Sequence, residues 1–523
     1  WSKPHDDPPD PLRKYMELDL LVTRDANWWP DFPTSARRVA DLYGSERDIP
    51  VEAIVAADVH AAARLLEALA PLELPGGGTL ERGAVEEGLR QGWGLPDEAL
   101  LTDGEVLTAT APYQAIEVAV RMTNKAGEAW IDEVTLERLG APGANLVENG
   151  SFEEDADADG LPDGWTPSGL GPEDGLVDGI AREGERSLYL VGEVGREKAL
   201  IQRLPIGGEA GDAFRLAAYS RTLGVEAKGG PYDLMVRLVP AEGEAPVDTL
   251  SAGFPCFTHE WASAGTAQVM LDWWSSRKDV IGLAAGAAAS RLMGNPREVP
   301  WLDLLATTKA LLDERHIQIY ARDPALQGII EAHGWAGAMA PATAGEDYLL
   351  VVDSNLGYNK VTASVSQTLD YVVSLGEGAP HARLTLTYEN RSAPRAEECD
   401  KFKQYAPTYQ DMTQGCYWDY VRVYAPPGAR LIAGSGGDEP VEALDEAGRT
   451  VFGAYLVLAP GERREVQIEY ALPEEIGADG VYRLTAQKQG GTAAHPLQVI
   501  VEAPNAAAVA SAPPATESSS GRA

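Results

Sequence analysis

The sequence has no uninterrupted apolar stretch of about 18 residues, the length that a membrane-spanning helix requires. Its longest candidate, Ile281 to Met293, is short and contains Arg291. We therefore predict that these 523 residues neither cross a membrane nor contain a signal peptide. Because the sequence begins at Trp1 rather than at Met, we expect any membrane attachment to run through a segment absent from it.

Basic residues are also scarce. Lys and Arg together number 43 against 80 for Asp and Glu, which gives a formal net charge of −37 at pH 7. A surface with this charge repels nucleic acid and anionic lipid and attracts divalent cations. We therefore expect no nucleic-acid partner.

Only three cysteines are present, and none has a metal-binding spacing. Cys399 and Cys416 bracket the polar, Tyr-rich stretch Asp400 to Gly415. A disulfide that closes such a loop stabilises the fold by about 3 kcal/mol. We interpret the remaining Cys256 as a buried small hydrophobe. A disulfide implies an oxidising location, so we predict an extracellular or cell-surface protein.

Motifs for known catalytic chemistry are missing. The seven histidines are scattered without an HExxH pair, and neither a GxSxG elbow nor a GxxxxGK loop occurs. We therefore predict no catalytic residue and favour a non-enzymatic protein.

The most specific pattern that is present is D-x-D-x-D-G-x-x-D, which follows Asn149-Gly-Ser-Phe-Glu153. Aspartates at alternate positions can converge on one hard cation, and Gly160 permits the turn that brings them together. An EF-hand would place a bidentate Glu where Thr166 stands, so this loop is not an EF-hand. The alternative is an acidic turn that is simply solvated. We predict a Ca²⁺ site with the ligands Asp155, Asp157, Asp159, Asp163 and Glu153.

The order of helix and strand signals predicts a multidomain α/β plus all-β protein. In the first part, Ser35 and Asp58 are predicted helix N-caps, and Val51 to Ala57 is a predicted buried strand. The predicted domains are the first part of an α/β host domain (1–100), an inserted β-domain (101–266), the second part of the host (267–345), an immunoglobulin-like β-sandwich (346–503) and a disordered tail or linker (504–523).

The inserted domain resembles carbohydrate-binding jelly rolls, but its segments occur in an unusual order. Asn145 to Glu153 resembles the first strand of such modules and Phe257 to Ala264 a late strand, whereas the typical ending, Gly127 to Leu136, comes before both. A circularly permuted jelly roll accounts for this order, with Gly140 to Ala144 joining the natural ends; two truncated modules in tandem is the alternative. The resemblance implies sugar stacking on aromatic side chains, and the alternative is that these rings form the core. The candidates are Trp165, Tyr189, Tyr219, Tyr232 and Trp261.

The host resembles an uncharacterised bacterial envelope family with an α/β domain and a C-terminal β-domain. The resemblance rests on Arg24 to Ala36, Val51 to Asp58, Ala70 to Pro75, Asp347 to Lys360, the Cys399 and Cys416 pair, and Gln487 to Thr492. The host is also distantly similar to the LytR-CpsA-Psr family of glycopolymer transferases. That similarity implies a pyrophosphate-binding role for Arg277, although most polar positions of the family's motif are small and apolar here.

Within the host, several polar residues are candidates for a further site. Asp25, Asn27 and Asp31 cluster around two tryptophans, and Asp58 follows a predicted strand. The alternative interpretation is that the first three hold a turn together and that Asp58 caps a helix. Asp353 and its neighbours form another polar loop, which the alternative interpretation treats as a connection between domains.

Together these patterns favour a non-catalytic cell-envelope protein that binds a cell-surface or wall glycan through a calcium-stabilised jelly roll. A structural subunit that self-assembles into a surface layer or filament is one alternative. A degenerate LytR-CpsA-Psr-like glycopolymer phosphotransferase is the other.

Overall fold

The computed structural model describes residues 6–511 except 75, 76, 94, 96, 141, 142, 144, 242, 257, 259, 295, 377, 394–398, 400–411, 504 and 505, and it gives only the backbone of 90–93, 97 and 506–511. The described residues form two compact units. Unit 1 comprises those within Trp1–Leu89, Ile281–Lys401 and Thr413–Ala523, and unit 2 consists mainly of Arg90–Val280.

The elements alternate along the chain between mixed and purely β segments. Up to residue 100 they are α1 (Asp10–Met16), α2 (Phe32–Arg47), β1 (Ala53–Ala57), α3 (Val59–Leu69), β2 (Leu72–Glu73), β3 (Thr79–Leu80) and α4 (Val85–Trp93). The next segment contains β4 (Glu105–Thr108), β5 (Ala115–Thr123), β6 (Glu128–Arg138), β7 (Thr166–Ser168), β8 (Gly175–Asp178), β9 (Arg186–Val191), β10 (Glu197–Leu204), β11 (Ala213–Leu223), β12 (Tyr232–Val239), β13 (Asp248–Gly253) and β14 (Ala262–Ser263).

Helices return in the third segment and strands dominate the fourth. The third contains α5 (Ala267–Ser276), α6 (Asp279–Gly294), α7 (Trp301–Asp313), β15 (Ile317–Ala321) and α8 (Pro324–Ala332). The fourth contains β16 (Asp347–Val352), β17 (Val365–Ser374), β18 (His381–Asn390), β19 (Tyr417–Ala425), β20 (Arg430–Ser435), β21 (Glu442–Glu446), β22 (Arg449–Leu458), β23 (Arg463–Ala471), β24 (Leu484–Gln487), β25 (Leu497–Ala503) and β26 (Ala506–Ser511).

The mixed part of unit 1 is built on an antiparallel pair of strands. β1 pairs with β15, and α3 packs on α7 through Ala61, Leu311 and Leu312. Asp58 caps α3 as predicted, since its side chain accepts the Ala61 N–H. The predicted cap Ser35 is wrong because α2 begins at Phe32 with Asp31 as its N-cap.

The strand-rich part of unit 1 is a β-sandwich. One sheet has the order β21-β22-β19-β16-β24 and the other β20-β23-β18-β17-β25-β26. Inward-facing side chains of both sheets form one core, which alternates along β18 and β23 with exposed residues. The last strand, β26, pairs antiparallel with β25, so residues 506–511 are not disordered as predicted.

Unit 2 also contains two sheets around one core. Their orders are β13-β12-β5-β10-β7 and β14-β11-β6-β9-β8, with β4 also paired to β11. The apolar core includes Ile116, Val118, Leu188, Phe214 and Leu234. Strict alternation of buried and partly exposed residues along β11 separates this core from the outer face of the second sheet.

These observations confirm a multidomain fold with mixed α/β and all-β parts. Among the described helices, none is long and apolar enough to cross a membrane. Some predictions fall partly outside the described residues. They concern the loop Asp400 to Gly415, the joining segment Gly140 to Ala144, the late strand Phe257 to Ala264 and the tail beyond residue 511.

Candidate functional site

Three of the five predicted calcium ligands come together in unit 2. Carboxylate oxygens of Asp155, Asp157 and Asp159 lie within 4.8 Å of one another. Asp155 accepts the backbone N–H groups of Asp159 and Gly160, which curls the loop around its own carboxylate. The donor set consists only of oxygen, which suits a hard cation such as Ca²⁺.

The other two predicted ligands are engaged by the backbone. Asp163 Oδ2 accepts the Ala156 N–H at 2.8 Å, which closes the loop. Glu153 Oε1 instead accepts the N–H groups of Glu185 and Arg186, at the start of β9. Glu153 therefore anchors a neighbouring strand, and it lies outside the group of three aspartates.

The acidic loop is tied to the second sheet of unit 2. The Leu176 N–H in β8 donates to the Gly160 carbonyl at 2.8 Å. A Cβ atom at Gly175 would lie 2.5 Å from the same carbonyl oxygen, so only glycine permits this approach. The position of β8 thus depends on the shape of the loop.

The five predicted stacking residues divide between the core and the surface of unit 2. Trp165 and Tyr232 are buried in the core, where they contact Phe152 and Phe254. Their rings are therefore covered by the protein itself. Tyr189, Tyr219 and Trp261 are only partly buried.

Tyr189 belongs to a row of side chains across the outer face of the second sheet. The strand register aligns Arg221 of β11, Trp130 of β6, Tyr189 of β9 and Gly175 of β8. Residues directly opposite each other share one face of a sheet. The Trp130 and Tyr189 ring centroids are 5.2 Å apart, and the Arg221 guanidinium lies 5.8 Å from the Trp130 ring.

Tyr219 forms a second row beside the first. It lies opposite Asp132 on one side and Ser263 on the other, and the Arg182 guanidinium stacks on its ring at 3.5 Å. Burial raises the pKa of Asp132 to about 6, although the N–H groups of Arg182 and Glu183 bond to its carboxylate. Trp261 lies two residues before Ser263, so the alternation of an extended chain places it on the same face.

Unit 1 contains a polar cleft of about 480 Å³. Several separate chain segments line it, and they include most of the polar residues proposed from the sequence of the host. The lining includes Asp25, Asn27, Trp28, Trp29, Asp58, Arg315, His316, Gln318, Asp353, Asn355, Arg422 and Gln489 to Gly491. Of the polar candidates from the sequence, Asp25, Asn27 and Asp58 line this cleft together with Asp353, whereas Asp31 and Arg277 do not.

Arg422 holds the Trp28 loop against the sandwich. The residue is only 1% exposed. Its guanidinium stacks on the Trp28 ring at 3.8 Å and donates to the Trp28 carbonyl at 2.7 Å. Glu446 balances its charge at 3.3 Å. Arg422 is therefore a structural clamp for the loop that carries Asp25 and Asn27.

Asp58 has a second contact besides its cap. Its Oδ2 lies 2.5 Å from Nδ1 of His316, which directly precedes β15. This contact favours the tautomer with a proton on Nδ1 and leaves Nε2 as an acceptor. The ring of His60 lies 4.7 Å from the His316 ring and covers one side of the pair.

One acid lines the sandwich side of the cleft, and a second is buried behind it. Asp353 Oδ1 accepts the Tyr388 hydroxyl at 2.6 Å, and Gln489 bonds to both backbone groups of Asp353. The buried Asp419 lies behind it and accepts the Ser354 N–H at 2.7 Å. Burial, together with the negative charge of Asp353, holds the pKa of Asp419 well above its ordinary value.

Arg315 and Gln318 complete the cleft, and the sequence did not single them out. Arg315 has a left-handed backbone with φ of 61°, which is uncommon for a residue other than glycine. Gln318 packs so closely that a Cβ atom at Gly490 would lie 1.9 Å from its Nε2 and one at Gly337 2.6 Å from its Cδ. The Gln487 to Thr492 motif, noted for its family resemblance, supplied the only signal for this contact.

The remaining candidates have structural roles. Asp31 caps α2 and accepts the Met339 N–H at 3.1 Å. Asn355 bonds to Asn359 and Thr362 and stabilises the connection after β16. Arg277 belongs to unit 2, where its guanidinium stacks on Trp274 at 3.5 Å. Its predicted pyrophosphate role remains a prediction.

Cys399 and Cys416 form the predicted disulfide. Cys416 directly precedes β19, which carries Asp419 and Arg422. Cys256 is partly buried against the core of unit 2 and is not disulfide-bonded.

The N-terminal part of the chain is similar to a family of unknown function. Residues 2–92 match the family model described as "Protein of unknown function (DUF4012)". Among curated proteins, no sequence matches the chain. One similar solved structure is an M1 zinc metallopeptidase from Deinococcus radiodurans, which is 14% identical in sequence. The alignment covers 27% of this chain and 32% of that chain, and the TM-score is 0.16.

A putative nutrient binding protein from Legionella pneumophila is also similar and is 7% identical in sequence. The alignment covers 31% of this chain and 56% of that chain, and the TM-score is 0.18. The chain therefore spans less than two thirds of either protein, and neither similarity supports an argument about function. The match over residues 2–92 supports a relation to a family whose function is unknown.

Proposed function

We propose that this chain is an extracytoplasmic glycan-binding protein whose sugar site is the outer face of the second sheet of unit 2. The row Arg221, Trp130, Tyr189 and Gly175 is the observation that carries the proposal. Sugar rings stack on aromatic rings and bond to charged and amide groups beside them. Tyr189 is only partly buried on this face, and the backbone of Gly175 lies beside it against the Gly160 carbonyl.

The hydrogen-bonding groups around the row support a polyhydroxylated ligand. The Arg182 and Arg221 guanidinium groups lie over the Tyr219 and Trp130 rings and provide donors, whereas Asp132 beneath them is fully buried and accepts backbone N–H groups. Burial and a hydrogen bond to Glu128 raise the pKa of Tyr189, and that bond holds its side chain in place.

The strand order of unit 2 supports the interpretation as a circularly permuted jelly roll. β5 and β6 precede the acidic loop in the chain but lie in the middle of the two sheets. In the jelly rolls that the sequence resembles, the matching strands come last. The disulfide Cys399–Cys416 supports the extracytoplasmic location.

Calcium has a defined role in this proposal. An ion held by Asp155, Asp157 and Asp159 fixes Gly160, and Gly160 fixes the start of β8 beside Tyr189. We therefore expect glycan affinity to rise with calcium through the position of β8, without contact between the ion and the sugar.

A glycan array probed with and without calcium tests the proposal. Tyr189→Ala should weaken binding of the best glycan by roughly thirtyfold, because a dominant aromatic contact contributes about 2 kcal/mol. Tyr43→Ala removes an exposed ring of unit 1 and serves as the matched control. Absence of binding by the unaltered chain, or equal affinity of the Tyr189 variant, would contradict the proposal.

A further inference from the structure

The cleft of unit 1 contains a cation that lacks an acidic partner. Arg315 lines the cleft, and the hydrogen bonds and ion pairs found among the described residues include none from its guanidinium. Burial lowers the pKa of Arg315, which means that the protein removes much of its hydration without replacing it by a carboxylate. A desolvated guanidinium of this kind gains most from an oxyanion supplied by a ligand.

The backbone holds this arginine in place at the end of α7. Its φ of 61° is the left-handed conformation that commonly ends a helix, and the His316 N–H closes the turn by donating to the Leu311 carbonyl at 2.9 Å. The Arg315 carbonyl accepts the Gly491 N–H at 2.9 Å, so the glycine loop holds this conformation from the other side of the cleft.

The acids of the cleft are already satisfied, in contrast to Arg315. Asp25 pairs with Arg24 at 3.0 Å, and Asp58 accepts the Ala61 N–H at 2.7 Å in addition to its contact with His316. Asp353 accepts the Tyr388 hydroxyl. A ligand ammonium group would therefore compete with existing donors, whereas a ligand oxyanion would meet an open one.

The negative charge of the cleft limits the charge of the ligand. Three carboxylates line it, and Arg422 already pairs with Glu446, so Arg315 is the guanidinium that can meet a ligand. Its two parallel N–H donors match a single carboxylate in bidentate geometry. A phosphate dianion carries twice the charge and would be repelled by Asp25, Asp58 and Asp353. The geometry therefore favours a monocarboxylate over a phosphate ester.

Two amides indicate what the rest of the ligand carries. Gln318 and Asn27 line the same cleft, and the described hydrogen bonds include none from either side chain. Gln318 is wedged against Gly337 and Gly490, so its amide has a fixed direction. An amide both donates and accepts, which matches hydroxyl groups, and the partly buried Trp29 adds apolar surface to the lining.

We propose that the unit 1 cleft binds a hydroxylated monocarboxylate, a sugar acid, with its carboxylate on Arg315 and its hydroxyl groups on Gln318 and Asn27. The cleft volume of about 480 Å³ accommodates a ligand of this size. The site is independent of the glycan-binding face proposed for unit 2.

Calorimetric titration of the full chain with galacturonate, glucose, glucose 6-phosphate and alanine tests the proposal. We expect saturable binding of galacturonate, and binding at least tenfold weaker for each of the other three. Equal affinity for glucose would overturn the role of Arg315, and preference for glucose 6-phosphate or alanine would overturn the ligand class. No binding of galacturonate would overturn the site.

Variants locate the site. Arg315→Gln should weaken galacturonate binding at least tenfold, while Arg383→Gln, an exposed arginine on β18, should leave it unchanged. Gln318→Glu keeps the shape of the side chain and adds a negative charge, so it should repel galacturonate even if the Arg315 variant folds poorly. If Tyr189→Ala abolished galacturonate binding and Gln318→Glu did not, the ligand would bind to unit 2 and this proposal would fail.

Discussion

The two β-sandwiches of this protein bury charged groups in different ways. The sandwich of unit 2 buries an ion pair: Lys198 is 1% exposed, and its Nζ lies 2.7 Å from Oδ2 of Asp174, whose side chain is 0% exposed. The ammonium group also donates to the Val191 carbonyl at 2.6 Å. The attraction between the two charges and their hydrogen bonds offset the cost of removing both groups from water.

The sandwich of unit 1 buries a carboxyl group among tyrosines. The side chain of Asp347 accepts the hydroxyl groups of Tyr371 at 2.7 Å and Tyr482 at 2.6 Å, and the Tyr348 N–H at 2.7 Å. Burial raises the pKa of Asp347, although these three donors lower it. Here the group is satisfied by neutral donors, and protonation remains an alternative to ionisation.

The difference predicts opposite weaknesses. Removing one partner of a buried ion pair destabilises the fold, because the other partner remains charged without water or a counter-ion. A carboxyl group held by neutral donors responds mainly to pH. Hydrogen–deuterium exchange read peptide by peptide separates the two units of one chain, so each prediction can be checked on its own sandwich.

The largest expected effect is that of Lys198→Met. The substitution leaves Asp174 charged and buried, and we expect it to lower the free energy of unfolding of unit 2 by about 3–5 kcal/mol. Exchange should accelerate in β9 and β10 and remain unchanged in β17 and β18. Lys228→Met, an exposed lysine of the same unit, is the control. A loss below about 1 kcal/mol would mean that the pair is not desolvated as its exposure indicates.

Calcium should act on the same sandwich with a smaller effect. If the acidic loop binds the ion, a concentration one hundred times Kd stabilises unit 2 by about 2.7 kcal/mol and leaves unit 1 unaffected. Asp157→Asn should remove this stabilisation. The measurement is a thermal melt with calcium and with chelator, and an identical shift in both units, or none in unit 2, would contradict the assignment.

Asp347→Asn tests the other sandwich. The folded state retains the proton on Asp347 to higher pH than the unfolded chain does, so this group stabilises unit 1 fully below the ordinary pKa of 3.8. Its contribution decreases as pH rises from 3.8 through the raised pKa. The asparagine places an N–H group against existing donors and should cost about 1–3 kcal/mol at pH 4.

The gap between wild type and the Asp347 variant should narrow as the pH rises, because only the wild type loses this contribution. Urea titrations at several pH values measure it, with exchange of β17 as the local probe. Asp370→Asn, on the outward face of the same strand, is the control. A gap that widens with pH would show that Asp347 is ionised more easily in the folded state than in the unfolded chain.

Local signals in the sequence were sufficient for much of the fold. Asp58 is a helix cap as its position before an apolar periodic segment predicts, and the pairing of Cys399 with Cys416 was correct. Ser35 failed as a cap because Pro33, which favours the first turn, allowed the helix to begin at Phe32. Short-range chemistry decides such features, so the sequence reveals them.

The candidate sites depended on contacts that the sequence does not show. Trp165 and Tyr189 look alike as aromatic residues near turns, and only the register separates the buried ring from the one on the outer face. No sequence motif marks Arg315, because its lack of an ion pair among the described residues depends on how the cleft folds. The glycine motif near Gly490 allows the close approach of Gln318, a contact that the sequence alone does not show.

The smallest expected effect is that of Glu173→Gln, and it decides which acid matters in the buried pair. Lys198 also lies 3.3 Å from Oε1 of Glu173, whose side chain is 43% exposed. Water screens that charge, so its removal should cost less than about 1 kcal/mol, whereas Asp174 and the Val191 carbonyl remain bonded to the ammonium group. Chemical denaturation of unit 2 compares this variant with Lys198→Met. A loss close to that of the lysine variant would show that Lys198 depends on a network of both acids, and the contrast between a closed ion pair in one sandwich and a tyrosine-held carboxyl in the other would lose its basis.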